Sequence, residues 1–95
     1  MKVTLKGYIK VAEADISAIQ KELPKHIELT RQESGCLSFQ VSQDPENPNI
    51  FFVQEEFIDK VAFEKHQERV KNSHWGKVAK NVERHYQISG INIHD

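Results

Sequence analysis

The stretch from Thr30 to His66 constrains the fold most, because the spacing of its apolar residues changes twice within one short segment. A charged, helix-favouring run ends in Glu-Ser-Gly, and period-two alternation follows, with Leu37, Phe39 and Val41 predicted to share one face. The turn-forming run DPENP then separates this strand from a second extended segment at residues 50–58. The stretch therefore predicts the end of a helix, a pair of strands and the start of a second helix.

Single residues mark the boundaries of these elements. Gly35 follows the helical run, and we expect it to adopt a positive φ that closes the last turn. Asp59 is placed to cap the second helix, which begins at Lys60. On that helix, apolar residues recur at helical spacing on the same face as His66. An ionisable imidazole is therefore predicted to lie on the buried side of the helix.

The segment at residues 50–58 is predicted to be a central strand, because both of its faces carry apolar residues. These residues are Ile50, Phe52 and Ile58 on one side and Phe51, Val53 and Phe57 on the other. Helices of the same chain supply one cover, and we expect a second copy of the chain to supply the other. Glu55 and Glu56 are consecutive, so only one of them faces the helices, and either could be the carboxylate neighbour of His66.

The segments on either side of this stretch complete the sheet. Residues 2–11 alternate as a first strand, in which Gly7 indicates a bulge, a bend or a place where another group approaches the backbone closely. Asp15 is expected to cap a first helix, in which Pro24 predicts a kink or a restart. Near the other end, residues 84–93 alternate as a last strand.

The predicted order is strand, helix, strand, strand, helix, short helix, strand, with Ser73 capping the short helix. This order is the split β-α-β pattern of a ferredoxin-like fold, an α+β architecture with a four-stranded antiparallel sheet and helices on one face. The length of 95 residues is that of one domain, so we interpret residues 1–95 as a single domain.

Composition excludes several classes of partner. The chain carries 13 basic and 14 acidic residues, so no long-range field attracts it to nucleic acid or to an anionic membrane. No apolar run approaches the roughly 20 residues of a membrane helix, and the first residues alternate instead of forming the apolar block of a signal peptide. Cys36 is the only cysteine and cannot form an internal disulfide. These features predict a soluble cytoplasmic protein.

Neither a metal nor a nucleotide cofactor is predicted. The five histidines form no pair with the spacing typical of a metal site. The four glycines form neither a dinucleotide-binding pattern nor a phosphate loop. Any chemistry of this chain is therefore expected to depend on its own side chains.

The run ESGCLSFQVSQDPENPNIFFVQEEFIDKVAFEKH resembles the signature of the antibiotic biosynthesis monooxygenase (ABM) domain. In both, an acidic residue and Gly-Cys-Leu follow a helix, an Asp-Pro loop joins two strands, and a histidine lies on the second helix. The resemblance implies homodimers whose sheets pack face to face as a dimeric α+β barrel. It also implies a pocket for small aromatic or quinol-type substrates, oxidised by dioxygen without flavin, metal or haem. The haem-degrading branch of the family uses an asparagine on the first strand, and residues 2–11 contain none.

His66 is the candidate general base, because an imidazole titrates near pH 6.5; the alternative is an inert, hydrogen-bonded histidine at the edge of the core. The other candidates are substrate contacts, each with a structural alternative. They are Trp75 and Phe39, which otherwise pack in the core, His26 and His74, which otherwise lie in solvent, and Glu56, which otherwise ends the strand in solvent.

The resemblance implies a cofactor-independent monooxygenase, in which the substrate supplies the electrons. His66 removes a proton, and a dry aromatic pocket holds the ring while the anion reacts with dioxygen. Two other interpretations remain. One is an isomerase or a hydrolytic enzyme for a small metabolite, which needs only acid–base chemistry, and the other is a dimeric ligand-binding module without turnover. Oxygen consumption separates the first interpretation from the other two.

Overall fold

Residues 1–90, the part of the chain that the computed structural model describes, contain four strands and three α-helices. The strands are β1 (Val3–Lys10), β2 (Cys36–Gln43), β3 (Ile50–Phe57) and β4 (Glu83–Ser89). The helices are α1 (Ile16–Arg31), α2 (Lys60–Lys71) and α3 (His74–Val78). The predicted order of elements is confirmed. Within the same residues, no helix combines the length and the apolar character needed to cross a membrane.

The strands form one antiparallel sheet in the order β2-β3-β1-β4. One face of the sheet is buried and the other is open, and successive side chains of a strand point to opposite faces. Leu5 of β1 lies on the buried face, whereas Phe52 of β3 lies on the open face and is 47% exposed. The buried face meets the helices, because Ile19 of α1 and Phe63 of α2 belong to the same core cluster as Leu5. The predicted ferredoxin-like α+β fold, with helices on one face of the sheet, is confirmed.

The start of β2 departs from the predicted alternation. The ladder between β2 and β3 shifts register between Cys36 and Ser38, so Leu37 is an extra residue in the strand. This bulge turns Leu37 outward, where it is 54% exposed, while Cys36 packs against the core. The prediction that Leu37 shares the buried face of Phe39 is therefore wrong, because strict period-two counting does not allow for the inserted residue.

Gly35 is required by a close contact and not by its backbone conformation. Among residues 1–90, the only positive φ belongs to Gly90, so the predicted left-handed conformation of Gly35 is wrong. A Cβ atom at Gly35 would lie 2.3 Å from the Cβ of Ala62 on α2. The missing side chain therefore lets α2 pack directly against the turn that leads into β2.

We expect Gly35→Ala to lower the free energy of unfolding by about 1–3 kcal/mol, the usual cost of adding a methyl group to filled space. Urea denaturation measures this loss. Because the Cβ of Ala62 is the atom that would be met, the same substitution should cost less in an Ala62→Gly background. Equal costs in the two backgrounds would contradict the steric explanation.

Helix α1 begins without the predicted cap. A single 3-10 turn over Glu13–Asp15 precedes it, and among the described residues the Asp15 side chain makes no capping hydrogen bond. The helix runs from Ile16 to Arg31 as one element that includes Pro24, so there is no restart at the proline. At its end, the guanidinium of Arg31 donates to the backbone oxygen of Phe39, which ties α1 to β2.

The caps predicted for α2 and α3 are confirmed. Oδ1 of Asp59 accepts from the backbone N–H of Ala62 at 2.8 Å, and Oγ of Ser73 accepts from Gly76 at 3.1 Å. Asp59 thus starts α2 directly after β3, and the apolar face of α2 packs against the sheet. This orientation places His66 in the interior, where it is 3% exposed.

Strand β4 packs closely against β1 at Gly7. A Cβ atom there would lie 1.9 Å from the carbonyl oxygen of His85, and neither ladder of β1 shifts register. Of the three explanations offered for this glycine, the close approach of another backbone is therefore confirmed. Strand β4 ends at Ser89, and the predicted continuation through residues 91–93 lies outside the described residues.

Candidate active site

A cavity of about 180 Å³ lies between the inner face of the sheet and the helices. Its apolar lining consists of Leu5, Ile9, Phe39, Val41, Val53, Val70, Trp75, Ala79 and Val82. Its polar lining consists of His26, Glu55, His66, Gln67, Arg84 and Tyr86. An apolar cavity with a few convergent polar groups is the usual form of a small-molecule site. A larger depression of about 680 Å³ beside α1 is open surface.

His66 projects from α2 into the wall of this cavity, between two carboxylates. Its Nδ1 lies 3.1 Å from each carboxylate oxygen of Glu33, and its Nε2 lies 3.8 Å from Oε1 of Glu55. The imidazole packs against the rings of Phe57 and Phe39, with centroids 4.8 and 5.9 Å away. The predicted placement of His66 on the buried face of its helix is confirmed.

Glu33 lies in the turn after α1 and orients the imidazole. Arg69 of α2 donates through Nε to Glu33 and through Nη2 to Oγ1 of Thr30 at 2.9 Å, so the carboxylate is held from a second side. An ionised carboxylate can only accept, so Nδ1 of His66 carries the proton of this hydrogen bond. In the neutral imidazole, Nε2 therefore presents its lone pair on the side of Glu55.

The charge states of His66 and Glu55 suit acid–base chemistry. Burial lowers the pKa of His66 below its ordinary value of 6.5, although the Glu33 carboxylate opposes this fall, so the imidazole is neutral near pH 7. Burial, and next the charge of Glu33, raises the pKa of Glu55 to about 7. We call Glu33, His66 and Glu55 the acid–base chain. A carboxyl group with a pKa of about 7 beside a neutral imidazole suits proton transfer at neutral pH.

His26 forms a flat part of the cavity wall. It is 5% exposed, stacks on Trp75 with ring centroids 4.4 Å apart and planes 5° from parallel, and meets Phe39 edge-on at 5.2 Å. Burial, followed by the charges of His66 and Arg69, lowers the pKa of His26 to about 3, so the ring is neutral. The structure thus places His26, Trp75 and Phe39 at the cavity, and the alternative prediction of a solvated His26 is wrong.

Two of the predicted site residues lie away from the cavity. Glu56 is on the open face of the sheet, where it accepts from Nζ of Lys2 at 3.1 Å. Its neighbour Glu55 points inward instead. The prediction that Glu56 contacts the substrate therefore names the wrong one of the two carboxylates. The side chain of His74 is 70% exposed, and its Nε2 lies 3.8 Å from Glu22 on α1. His74 therefore lies at the surface, as the alternative prediction had it.

The remaining polar groups of the cavity contribute to its walls. Arg84 donates to the backbone oxygen of Ala79 at 3.2 Å. Burial raises the pKa of Tyr86 to about 12, so its hydroxyl stays protonated. In the part of the chain that the structure describes, no group of three or more histidine, cysteine or acidic residues is arranged to hold a metal ion.

A comparison with protein families assigns the chain to a known family. The family model described as antibiotic biosynthesis monooxygenase (ABM) matches residues 3–80. The chain belongs to the ABM family. No curated protein matches it significantly.

Solved structures share the fold of this ABM protein. PA3566 from Pseudomonas aeruginosa is 23% identical, with a TM-score of 0.72 over 95% of this chain and 91% of that chain. A Nitrosomonas europaea protein described as a "putative antibiotic biosynthesis monooxygenase" is 20% identical, with a TM-score of 0.76 over 96% and 98%. A Bacteroides thetaiotaomicron protein described as a "possible oxidoreductase" is 12% identical, with a TM-score of 0.75 over 95% and 97%. At these identities the likeness shows the fold alone.

Two residues of the ABM site, Glu33 and Arg69, are missing from the sequence-based prediction. Arg69 comes three residues after His66 on the same face of α2, and this spacing could have identified it as a neighbour. Glu33 is harder to identify from the sequence, because its partner His66 lies 33 residues further along the chain. The period of β3 shows that only one of Glu55 and Glu56 faces the helices, but both faces of the strand carry apolar residues, so the structure was needed to identify Glu55.

Proposed function

We propose that this ABM protein is a cofactor-independent monooxygenase that oxidises a small aromatic or quinol-type substrate with dioxygen. The observation that carries the proposal is the acid–base chain, which is buried against a cavity with aromatic walls. Membership of the ABM family supports an oxidative reaction. The residues of the cavity support a way in which the protein can start that reaction without a bound cofactor.

The first step is removal of a proton from a phenolic hydroxyl. Nε2 of His66 accepts this proton, and the Glu33 carboxylate at Nδ1 stabilises the imidazolium that forms. Arg69 holds Glu33 in position, so little reorganisation accompanies the transfer. Burial excludes water and strengthens these interactions.

The substrate supplies the electrons. Ground-state dioxygen is a triplet and reacts slowly with closed-shell molecules, but an electron-rich phenolate can transfer one electron and then recombine with the reduced oxygen. For a diphenol, one oxygen atom enters the ring and the other leaves as water. The product is a hydroxyquinone, and all four electrons that reduce dioxygen come from the diphenol. The protein then has only to hold the ring and move protons.

Oxygen uptake with a panel of phenols and quinols tests the proposal. We expect substrate-dependent uptake that persists after treatment with a chelator and after removal of free flavin. Turnover of a small metabolite without oxygen would instead favour an isomerase, because the acid–base chain alone can move a proton between two carbon atoms. Binding without turnover would favour a dimeric ligand-binding module, and either result would overturn the oxygenase.

We also propose that a second copy of the chain covers the open face of the sheet. An aromatic row crosses this face, formed by Phe52, Tyr8 and His85, which lie opposite one another on β3, β1 and β4. The rings of Tyr8 and His85 stack with centroids 4.6 Å apart, and Phe52 is 47% exposed. Exposed aromatic side chains on adjacent strands are typical of an interface between proteins.

Replacing Phe52 by lysine is expected to convert a dimer into a monomer, because it would place a charge from each copy in the same apolar contact. Sedimentation velocity measures the change. Val61→Lys is a matched control, since Val61 is 58% exposed on α2, away from the aromatic row. A wild-type protein that stays a folded monomer at high concentration would contradict the proposed interface.

A further inference from the structure

Two buried polar atoms at the cavity have no hydrogen-bond partner within residues 1–90. They are Nδ1 of His26 and Oε1 of Glu55, and both residues line the same cavity. A buried polar atom without a partner costs about 1–3 kcal/mol. Nearly all such atoms in folded proteins are satisfied, by protein, by water or by a ligand. Two of them at one cavity indicate that polar groups of an occupant complete the site.

The protonation states of the two residues select the kind of group that fits. His26 is neutral because burial lowers its pKa to about 3, so one ring nitrogen donates and the other accepts. Glu55, with its pKa raised to about 7, is present both as an acceptor and as a donor near neutral pH. A hydroxyl can donate and accept, so it matches either form of both residues. An ether or a carbonyl, which only accepts, does not.

The dimensions of the cavity limit the rest of the occupant. A cavity of about 150 Å³ in another protein holds one benzene ring, and this one has about 180 Å³. The remaining space suits small substituents and favours one ring over two fused rings. The parallel rings of His26 and Trp75 form a wall that favours a flat molecule.

We propose that the cavity binds a single-ring diphenol, with one hydroxyl at Glu55 and His66 and the other at His26. The role of the first hydroxyl rests on the proposed oxygenase function, whereas the role of His26 concerns binding alone. His26 is thereby a specificity residue, which distinguishes a diphenol from a simple phenol. Its position on α1, stacked on Trp75, holds the ring in place while Nδ1 has no hydrogen-bond partner among the described residues.

Binding without oxygen tests this inference. Trp75 is the only tryptophan of the chain, so its fluorescence reports on the cavity wall, and calorimetry supplies an independent affinity. The probes are phenol, the three benzenediol isomers, 2-methoxyphenol and 1,4-dihydroxynaphthalene. At least one benzenediol is expected to bind about tenfold more tightly than phenol, a difference of about 1.4 kcal/mol, which one added hydrogen bond can supply. The methyl ether and the two-ring diol should lose this advantage.

His26→Phe keeps a flat ring on Trp75 and removes both nitrogens. It should reduce the affinity for the benzenediol to that for phenol and leave the affinity for phenol unchanged. His74→Phe is the matched control, because the same change is made at an exposed histidine outside the cavity. If His26→Phe does not fold, the comparison of ligands on the wild-type protein still decides the question.

The outcomes separate this inference from the proposed function. Equal binding of phenol and all three benzenediols, or binding of the two-ring diol as tight as that of one ring, would overturn the inference. The inference would also fail if the His26→Phe variant still preferred the benzenediol over phenol by the full factor, since water would then be the partner of His26 in the wild type. A diphenol that binds selectively and consumes no oxygen would support the inference and reject the oxygenase.

Discussion

Replacing His66 by glutamine is expected to lower kcat for oxygen consumption by about 10²–10⁴-fold, the usual contribution of a positioned acid–base group. The neutral imidazole carries its lone pair at Nε2, and the Glu33 carboxylate fixes this tautomer. Glutamine keeps a polar side chain near Glu33 but provides no base. Glu55, 3.8 Å from Nε2 in the wild type, is then the remaining proton acceptor and accounts for residual activity. Oxygen-electrode kinetics with the best substrate of the panel measure the loss.

The control for this prediction is His74→Gln, which makes the same change at a histidine whose side chain is 70% exposed outside the cavity. Its kcat is expected to equal that of the wild type. Circular dichroism of His66→Gln is needed beside the kinetics, because His66 packs against Phe57 and its loss disturbs the core. A folded His66→Gln protein with wild-type activity would remove His66 from the mechanism.

Replacing Glu55 by glutamine is expected to stabilise the protein at alkaline pH and to change little at acidic pH. The fold raises the pKa of Glu55 from 4.5 to about 7, so the folded state binds this proton more tightly than the unfolded chain. The stabilisation from protonated Glu55 is complete below pH 4.5 and is lost as the pH rises through about 7. A shift of this size corresponds to about 3 kcal/mol.

Glutamine resembles the protonated carboxyl group and cannot ionise, so the variant keeps its stability as the pH rises. The free energy of unfolding of Glu55→Gln should match the wild type at about pH 4 and exceed it by about 3 kcal/mol at about pH 8, as measured by urea denaturation. His26, whose pKa is lowered to about 3, makes both proteins less stable as the pH falls below 6.5, and this effect cancels in the difference. A difference that does not change with pH would contradict the burial of an ionising Glu55.

Glu56→Gln is the matched control, since it makes the same change one residue along the strand and on the opposite face. Hydrogen bonds from Lys2 and Ser38 lower the pKa of Glu56, the reverse of the shift at Glu55. Removing this carboxylate should therefore give no gain in stability as the pH rises. The pair of variants tests which face of β3 each carboxylate occupies.

Features that depend on near neighbours in the chain could be predicted from the sequence. Asp59 and Ser73 cap helices whose free N–H groups lie three residues further on, so each motif is complete within one turn. The burial of Phe63 and His66 follows in the same way from the helical spacing of α2. These local rules also give the order of the elements, and with it the ferredoxin-like fold.

Predictions failed where a residue's position depends on a second element. Leu37 is turned outward by a bulge that exists only in the pairing of β2 with β3. Gly35 is needed because of Ala62 on α2, which its own neighbours do not reveal. His26 has a polar side chain at the edge of an apolar stripe, and it is buried by the rings of Trp75 from α3 and Phe39 from β2. In each case the decisive atom belongs to a distant part of the chain.

The sequence by itself determined the order of the elements, the inward face of β1 and the burial of His66. Only the tertiary structure decided that His66 meets Glu33, 33 residues away, and that Glu55 lies beside its other nitrogen in a cavity walled by His26 and Trp75. The reason is physical. Period and capping arise from interactions within a few residues, whereas the pKa of a buried group is set by the charges and the apolar surface that packing brings to it from elsewhere in the chain.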